Sequence, residues 1–155
     1  MQLWRLSSAR HAHDFSGAYG LLHPGRWNTP GRPITYCSTV PSLTALEKRV
    51  HVTDPSLLPP LLLIEYSVPD DIPLRAVEYA DLTENWISRE VDSQQIGDRW
   101  LDMGAEALLT VPSAVVPIPR APERNVLINH RHARSAEIKI VNVLPFTFDP
   151  CLFHL

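Results

Sequence analysis

A carboxylate near the middle of a predicted helix is the first group in this 155-residue sequence that could do chemistry. On a helical wheel centred on Leu43, Glu47 falls at about 40°, whereas Leu46 and Val50 fall at about 60° and 20° on the other side. We therefore expect Glu47 at the edge of the buried stripe, where a carboxylate must be paired, protonated or lining a cavity. A capping box from Thr44 to Glu47 and a salt bridge to an arginine are the structural alternatives.

A loop rich in glycine and proline carries an arginine that could bind a phosphorylated ligand. Gly25 precedes Arg26 and lets the backbone approach a ligand closely, and the guanidinium offers a fork to a pyrophosphate. Trp27 and Asn28 could pack and cap this loop. The structural alternative is an ordinary proline–glycine turn with an exposed arginine.

A serine and two tyrosines are further candidates. Ser113 follows a predicted strand, where it could bond a ligand or cap the next turn. Tyr36 lies in the strand before the helix and Tyr19 in the glycine loop, and each could stack on a ring or pack in the core. The sequence contains no GxSxG motif, so we do not expect a hydrolase nucleophile.

Metal and nucleotide-loop motifs are absent from the sequence. Two histidine pairs have i, i+2 spacing but lack a third ligand at a suitable distance, and HExxH is absent, so no metal site is predicted. They are His11 with His13 and His130 with His132. Walker A and GxGxxG are also missing. Two cysteines, Cys37 and Cys151, cannot form a disulfide framework.

Charge and hydropathy limit the classes of partner. The net charge of −3 argues against general binding to nucleic acids or anionic membranes. Twelve of the 14 basic residues are arginines, which suit contacts with a phosphorylated small ligand. The longest apolar stretch, 57–64, is short and contains two prolines, and no signal peptide pattern precedes it. We therefore expect a cytoplasmic protein that does not cross a membrane.

The spacing of apolar residues predicts an α+β protein of one domain, 1–155, because strands outnumber helices without alternating regularly with them. The segment 15–33 is expected to be an ordered loop, and Gly104 is expected to stop the second helix. Strands are predicted at 3–6, 34–38, 61–68, 74–79, 107–111, 136–144 and 146–148, and helices at 42–51 and 93–103.

Fragments in a fixed order along nearly the whole chain resemble the RES domain family, which is named for an arginine, a glutamate and a serine. The family's triad then falls on Arg26, Glu47 and Ser113. The fragments begin with Trp4-Arg5-Leu6 and Phe15-Ser16-Gly17, continue through Gly25-Arg26-Trp27-Asn28, Ile34-Thr35-Tyr36-Cys37-Ser38, Leu43-Thr44-Ala45-Leu46-Glu47, Gln95-Ile96-Gly97-Asp98-Arg99-Trp100-Leu101 and Val111-Pro112-Ser113, and end with Asn125-Val126-Leu127-Ile128-Asn129, His132 and Phe148-Asp149-Pro150.

The sequence departs from the family pattern at four places outside the triad. Tyr19 and Pro24 stand where the family often has glycine. His130 replaces a proline, and Cys151 replaces an arginine. The first two changes affect the loop that carries Arg26.

The resemblance implies an ADP-ribosyltransferase-like fold with short strands around a central cleft. It also implies the toxin of a type II toxin–antitoxin system, which degrades NAD+ by hydrolysis or phosphorolysis and arrests growth. NAD+ would be the substrate, with no separate cofactor. The implied partner is an Xre-type helix-turn-helix antitoxin, with a homodimer or a hetero-oligomer left open. Transfer of ADP-ribose to a cellular protein, and a non-enzymatic nucleotide-binding module, are the alternatives.

The implied chemistry assigns a role to each candidate. Glu47 would stabilise the oxocarbenium-like centre that forms when nicotinamide leaves, and Arg26 would clamp the pyrophosphate. Tyr36 would stack on nicotinamide, and Ser113 and Ser38 would orient the ribose or Glu47. The predicted catalytic residues are Glu47, Arg26, Ser113 and Tyr36, and the predicted binding residues are Arg26, Trp27, Asn28, Tyr36, Ser38, Ser113 and Asn129.

Overall fold

A single sheet of seven strands organises the computed structural model, which describes residues 1–153. The strand order is β4-β5-β6-β2-β1-β3-β7, and all neighbours are antiparallel except β4 and β5. None of the helices in the described residues is long and apolar enough to cross a bilayer. The strands are β1 (Gln2–Ser8), β2 (Ile34–Ser38), β3 (Leu61–Ser67), β4 (Leu74–Ala76), β5 (Leu108–Val111), β6 (Asn125–Asn129) and β7 (Lys139–Phe146), and the helices are α1 (Ala18–Leu22), α2 (Pro41–Arg49) and α3 (Glu90–Met103).

Several predicted elements differ from the observed ones. Strand β6 was not predicted, because its three central residues are buried on both faces and do not alternate with polar residues. Helix α1 lies in the predicted loop. With five residues, this helix is too short to show helical periodicity in the sequence. A separate strand at 146–148 is wrong, because Phe146 ends β7. The segments 79–81 and 133–137 are 3-10 turns, which shortens the strands predicted there.

Helix α3 confirms its predicted end and covers one face of the sheet. Gly104 adopts the left-handed conformation, with φ of 62°, and ends the helix after Met103. Trp100 and Leu101 of α3 pack with Leu109 and Leu127 from the central strands. This face holds the candidate site residues, whereas a second cluster around Leu3, Ile64 and Ile128 fills the other face.

The loop that carries Arg26 is held against α3 at close range. A Cβ on Gly97 would lie 1.8 Å from the Trp27 carbonyl oxygen, so only glycine allows this approach. Ser93 Oγ donates a hydrogen bond to the Arg26 carbonyl at 2.6 Å. Asp98 accepts hydrogen bonds from the backbone N–H and hydroxyl of Thr29 at 2.9 and 2.6 Å. Helix α3 therefore fixes the backbone of the arginine loop.

Helix α2 packs on the sheet through a different face from the one the helical wheel predicted. Leu43 and Thr44 are buried, whereas Leu46 and Val50 are 38% and 53% exposed. The capping-box interpretation is wrong, because the helix begins earlier and the Thr44 hydroxyl donates to the carbonyls of Val40 and Trp4. Since Glu47 lies three and four residues after the two buried residues, its side chain leaves the helix toward the sheet.

Candidate active site

Glu47 reaches from α2 to two neutral polar groups at the end of the central strands. Its Oε1 accepts a hydrogen bond from Ser113 Oγ at 2.8 Å and from Asn125 Nδ2 at 2.5 Å. No arginine pairs with this carboxylate in residues 1–153, so the salt-bridge alternative is wrong. No described group bonds to Oε2 either. One oxygen of the carboxylate is therefore anchored, and the other is available to a ligand.

The hydrogen bonds that Ser113 accepts determine the direction in which its hydroxyl donates. Its Oγ accepts from the backbone N–H groups of Val115 and Val116, both at 3.0 Å. With both lone pairs occupied, the proton points to Glu47. Ser113 is also only 3% exposed. The serine thus caps the turn that follows β5 and at the same time holds the carboxylate.

Asn125 was missed as a candidate by the sequence reasoning. It is the first residue of β6 and lies opposite Ser38 in β2. Ser38 Oγ donates to Asn125 Oδ1 at 2.8 Å, and Asn125 then donates to Glu47. The available signal was an asparagine at the start of a buried apolar run, where an amide must find partners.

Arg26 lies at the corner of a tight turn. Gly25 N–H donates to the Asn28 carbonyl at 3.0 Å and closes the turn. The guanidinium lies 5.9 Å from the centroid of the Trp86 ring, and its Nη1 donates to the Ile87 carbonyl at 2.9 Å. The side chain is half-buried, and its other N–H groups bond to nothing else in residues 1–153. These N–H groups remain for an anionic ligand.

The residues next to Arg26 stabilise the turn by packing and hydrogen bonding. Trp27 is 2% exposed and packs against Trp86, with ring centroids 5.9 Å apart. The Tyr36 hydroxyl accepts from Trp27 N–H at 3.1 Å and donates to Asn28 Oδ1 at 2.7 Å. Burial raises the pKa of the Tyr36 phenol above its usual value, so it stays neutral. Trp27 and Asn28 are thus structural in this conformation, while Tyr36 is buried less completely than these two residues.

Strand β2 connects the arginine turn with the Glu47 cluster. Tyr36 and Ser38 are two residues apart in β2, so they share one face of the sheet at a separation of about 6.6 Å. The first bonds to the turn and the second to Asn125. The structure therefore places both groups of predicted residues along one face.

Two candidates lie apart from this arrangement. Asn129 is four residues from Asn125 in β6, about 13 Å away along the strand. Its side chain is fully buried, donating to the Leu101 carbonyl at 3.1 Å and accepting from Arg131 N–H at 3.0 Å. Tyr19 is 71% exposed and packs on His23 with ring centroids 4.4 Å apart.

Most residues that depart from the family pattern lie at exposed positions, where a change of side chain disturbs little packing. Tyr19, Pro24 and Cys151 are exposed. His130 is half-buried with Nε2 2.8 Å from Thr35 Oγ1, and burial lowers its pKa to about 4. Gly25, next to Pro24, needs glycine, because a Cβ there would lie 2.5 Å from the Tyr36 hydroxyl.

The fold belongs to a known class of proteins. Over 98% of this chain and 86% of the other, it superposes with a TM-score of 0.74 and 17% identity on a chain from the crystal structure of the M. tuberculosis MbcT–MbcA toxin–antitoxin complex. The expected α+β, ADP-ribosyltransferase-like fold is thereby confirmed. A model of the RES domain matches residues 2–149, and this chain belongs to the RES domain family.

Two curated relatives match over almost the full length. The Toxin Res protein of Pseudomonas putida is 36% identical over 155 residues, covering 99% of this chain and 100% of the relative. The Prs ADP-ribosylating toxin of a Sphingobium species is 35% identical over 155 residues, covering 95% of this chain and 93% of the relative. The family membership inferred from sequence fragments is thus confirmed, and similar members are toxins.

Proposed function

We propose that this chain is the toxin of a type II toxin–antitoxin system and that it consumes NAD+ in the cytoplasm. The observation that carries the proposal is the Glu47 carboxylate, which is anchored through Oε1 by two neutral donors while Oε2 has no hydrogen-bond partner among residues 1–153. A carboxylate held in this way presents its second oxygen in a fixed direction, which suits stabilisation of a developing positive centre.

The proposed reaction breaks the bond between the ribose C1′ and the nicotinamide nitrogen. Nicotinamide leaves with the bonding electron pair, and the ribose becomes an oxocarbenium-like cation. Glu47 Oε2 stabilises this cation or accepts a hydrogen bond from a ribose hydroxyl. Attack by water then gives ADP-ribose and a proton, whereas attack by inorganic phosphate gives the phosphorylated sugar.

The arginine turn supports the binding half of the proposal. The free N–H groups of Arg26 can clamp the pyrophosphate in a bidentate manner. Tyr36 lies on the same face, between the turn and the cluster around Glu47, where its ring can stack on nicotinamide. The ligand would thus extend along one sheet face from Arg26 to Glu47.

We expect Arg26→Ala to raise KM for NAD+ by about 10-fold or more, because a charge-assisted bidentate contact is lost. Arg120→Ala is the control, since Arg120 is exposed and forms no hydrogen bond within residues 1–153. Arg32 is a poorer control, because it pairs with Asp98 and Asp102 beside the same turn. Steady-state kinetics measure both variants, and an equal rise in KM for Arg26→Ala and Arg120→Ala would argue for a diffuse electrostatic surface.

Transfer of ADP-ribose to a protein is the second candidate function. It is favoured by the name of the Sphingobium relative, which is described as ADP-ribosylating and is 35% identical to this chain. The same bond breaks and Glu47 has the same role, but a protein side chain replaces water or phosphate as the acceptor. The acceptor thus distinguishes the two functions.

The fate of a radiolabel tests these possibilities. Purified protein is incubated with NAD+ labelled in the adenylate phosphate, with and without a cell extract. The proposal expects the label in free ADP-ribose or its phosphorylated form, whereas a modifying enzyme would place it on a protein band. NAD+ that stays intact after long incubation would instead indicate a non-enzymatic nucleotide-binding module.

The proposed partner is an antitoxin with a helix-turn-helix domain of the Xre type. We expect an acidic or C-terminal segment of this partner to lie over the candidate site and compete with the pyrophosphate for Arg26, because a carboxylate can form the same bidentate pair. Co-expression should restore growth and block NAD+ cleavage, and Arg26→Ala should weaken the complex in a titration. A tightly bound partner that leaves cleavage unchanged would refute occlusion.

A further inference from the structure

We propose that Asn125 is the residue that orients Glu47, and that Ser38 acts on the carboxylate only through Asn125. The inference rests on the proposed function and assigns positioning roles within the same site. Its basis is a directed chain of hydrogen bonds from Ser38 Oγ to Asn125 Oδ1, and from Asn125 Nδ2 to Glu47 Oε1.

The neighbours of the Asn125 amide fix its orientation. An asparagine side chain can rotate by 180° and exchange its oxygen and nitrogen, and the neighbours decide which arrangement is stable. The Glu47 carboxylate only accepts hydrogen bonds, so the amide nitrogen must face it. Ser38 supplies a proton to the oxygen at 2.8 Å and stabilises this same orientation.

The hydrogen bonds from Ser113 and Asn125 restrict the rotation of the Glu47 side chain. Glutamate has several rotatable bonds, and its neighbours on the helix, Leu46 and Val50, are exposed and do not enclose it. Ser113 and Asn125 both bond to Oε1 from the end of the sheet. Two donors on one oxygen stabilise the rotamer in which Oε2 points away from them. A single donor would stabilise this rotamer less.

Ser38 is enclosed by the protein and contacts the carboxylate only indirectly. The side chain is only 3% exposed and its hydroxyl has Asn125 as its one hydrogen-bond partner in residues 1–153. It therefore cannot contact a ribose in this conformation. Any effect of Ser38 on catalysis must pass through the asparagine amide.

A double-mutant cycle tests this dependence. We expect Asn125→Ala to lower kcat by about 10- to 100-fold, comparable to the loss when a metal ligand loses the residue that orients it. Ser38→Ala should lower kcat less than Asn125→Ala does. In both variants KM for NAD+ should stay within about threefold of the wild-type value, because neither Ser38 nor Asn125 contacts the ligand. In the double variant, Ser38→Ala should add nothing to Asn125→Ala. Ser135→Ala is the control, since Ser135 is also buried and its hydroxyl has the His132 carbonyl as its one partner within residues 1–153.

Additive losses in the cycle, or a rise in KM that exceeds the fall in kcat, would overturn the proposal. A second readout does not need activity. The side-chain amide protons of Asn125 are followed by nuclear magnetic resonance, and the proton bonded to Glu47 should exchange slowly with water in the wild type and faster in Ser38→Ala. Unchanged exchange would overturn the relay, whereas a wild type that leaves NAD+ intact but shows this exchange pattern would refute only the proposed function.

Discussion

Replacing Glu47 by glutamine should abolish NAD+ cleavage while leaving the fold intact. The glutamine amide oxygen can still accept from Ser113 and Asn125, so the packing at the end of the strands should survive. The negative charge that stabilises the oxocarbenium-like centre is lost, and we expect kcat to fall by about 10³-fold or more. Enzyme kinetics and a thermal melt on the same preparation measure the two effects separately.

The control for this substitution is Glu84→Gln, since Glu84 is exposed and forms no hydrogen bond in residues 1–153. It changes the net charge by the same amount and should leave kcat unchanged. If Glu47→Gln keeps more than about a tenth of wild-type activity with a normal melt, Glu47 is a structural residue and not the catalytic carboxylate.

Replacing Gly97 by alanine should cause the largest loss of stability among single methyl additions at the site. The new Cβ would lie 1.8 Å from the Trp27 carbonyl oxygen and 2.8 Å from its carbon, both of which are backbone atoms that cannot rotate away. Either α3 or the arginine turn must move, so we expect a loss of about 3 kcal/mol or more in the free energy of unfolding. That corresponds to a fall of about 10 °C in Tm for a domain of this size.

The effect of Gly97→Ala should also reach NAD+ binding, because the displaced turn carries Arg26. Alanine has a higher helix propensity than glycine, so any loss must come from the contact and not from the helix itself. Gln95→Ala, at an exposed position two residues earlier in α3, should leave Tm nearly unchanged. An equal Tm for Gly97→Ala and the wild type would mean that α3 and the arginine turn are not in close contact at Gly97.

The sequence predicted the parts of the site that depend on local pattern. Strand β2 was predicted with its observed bounds, because its five residues form a compact run of strand-forming types. The helical wheel places Glu47 at the edge of a buried stripe, and the side chain does reach the sheet, although Leu46 and Val50 of that stripe are exposed. The glycine before Arg26 predicts a close backbone approach to a ligand, whereas the close neighbour in the structure is the Tyr36 hydroxyl, 2.5 Å from where a Cβ on this glycine would lie.

The remaining features depend on contacts between distant segments, which a local pattern does not contain. Asn125 is 78 residues from Glu47 in the chain, and only the pairing of β6 with β2 and β5 brings it to the carboxylate. The wheel placed Leu46 and Val50 in the core, but α2 lies on β1 and β2 through Leu43 and Thr44. Tertiary packing, and not helical amphipathicity, decides which face of so short a helix is buried.

The most direct test of the proposed function is the release of nicotinamide from NAD+ by antitoxin-free protein at high enzyme concentration. The assay is run with and without inorganic phosphate, beside Glu47→Gln purified in the same way. The proposal predicts stoichiometric release of nicotinamide by the wild type, with ADP-ribose or its phosphorylated form as the second product, and no release by Glu47→Gln. NAD+ that stays intact with the wild type, or nicotinamide released equally by Glu47→Gln, would contradict it.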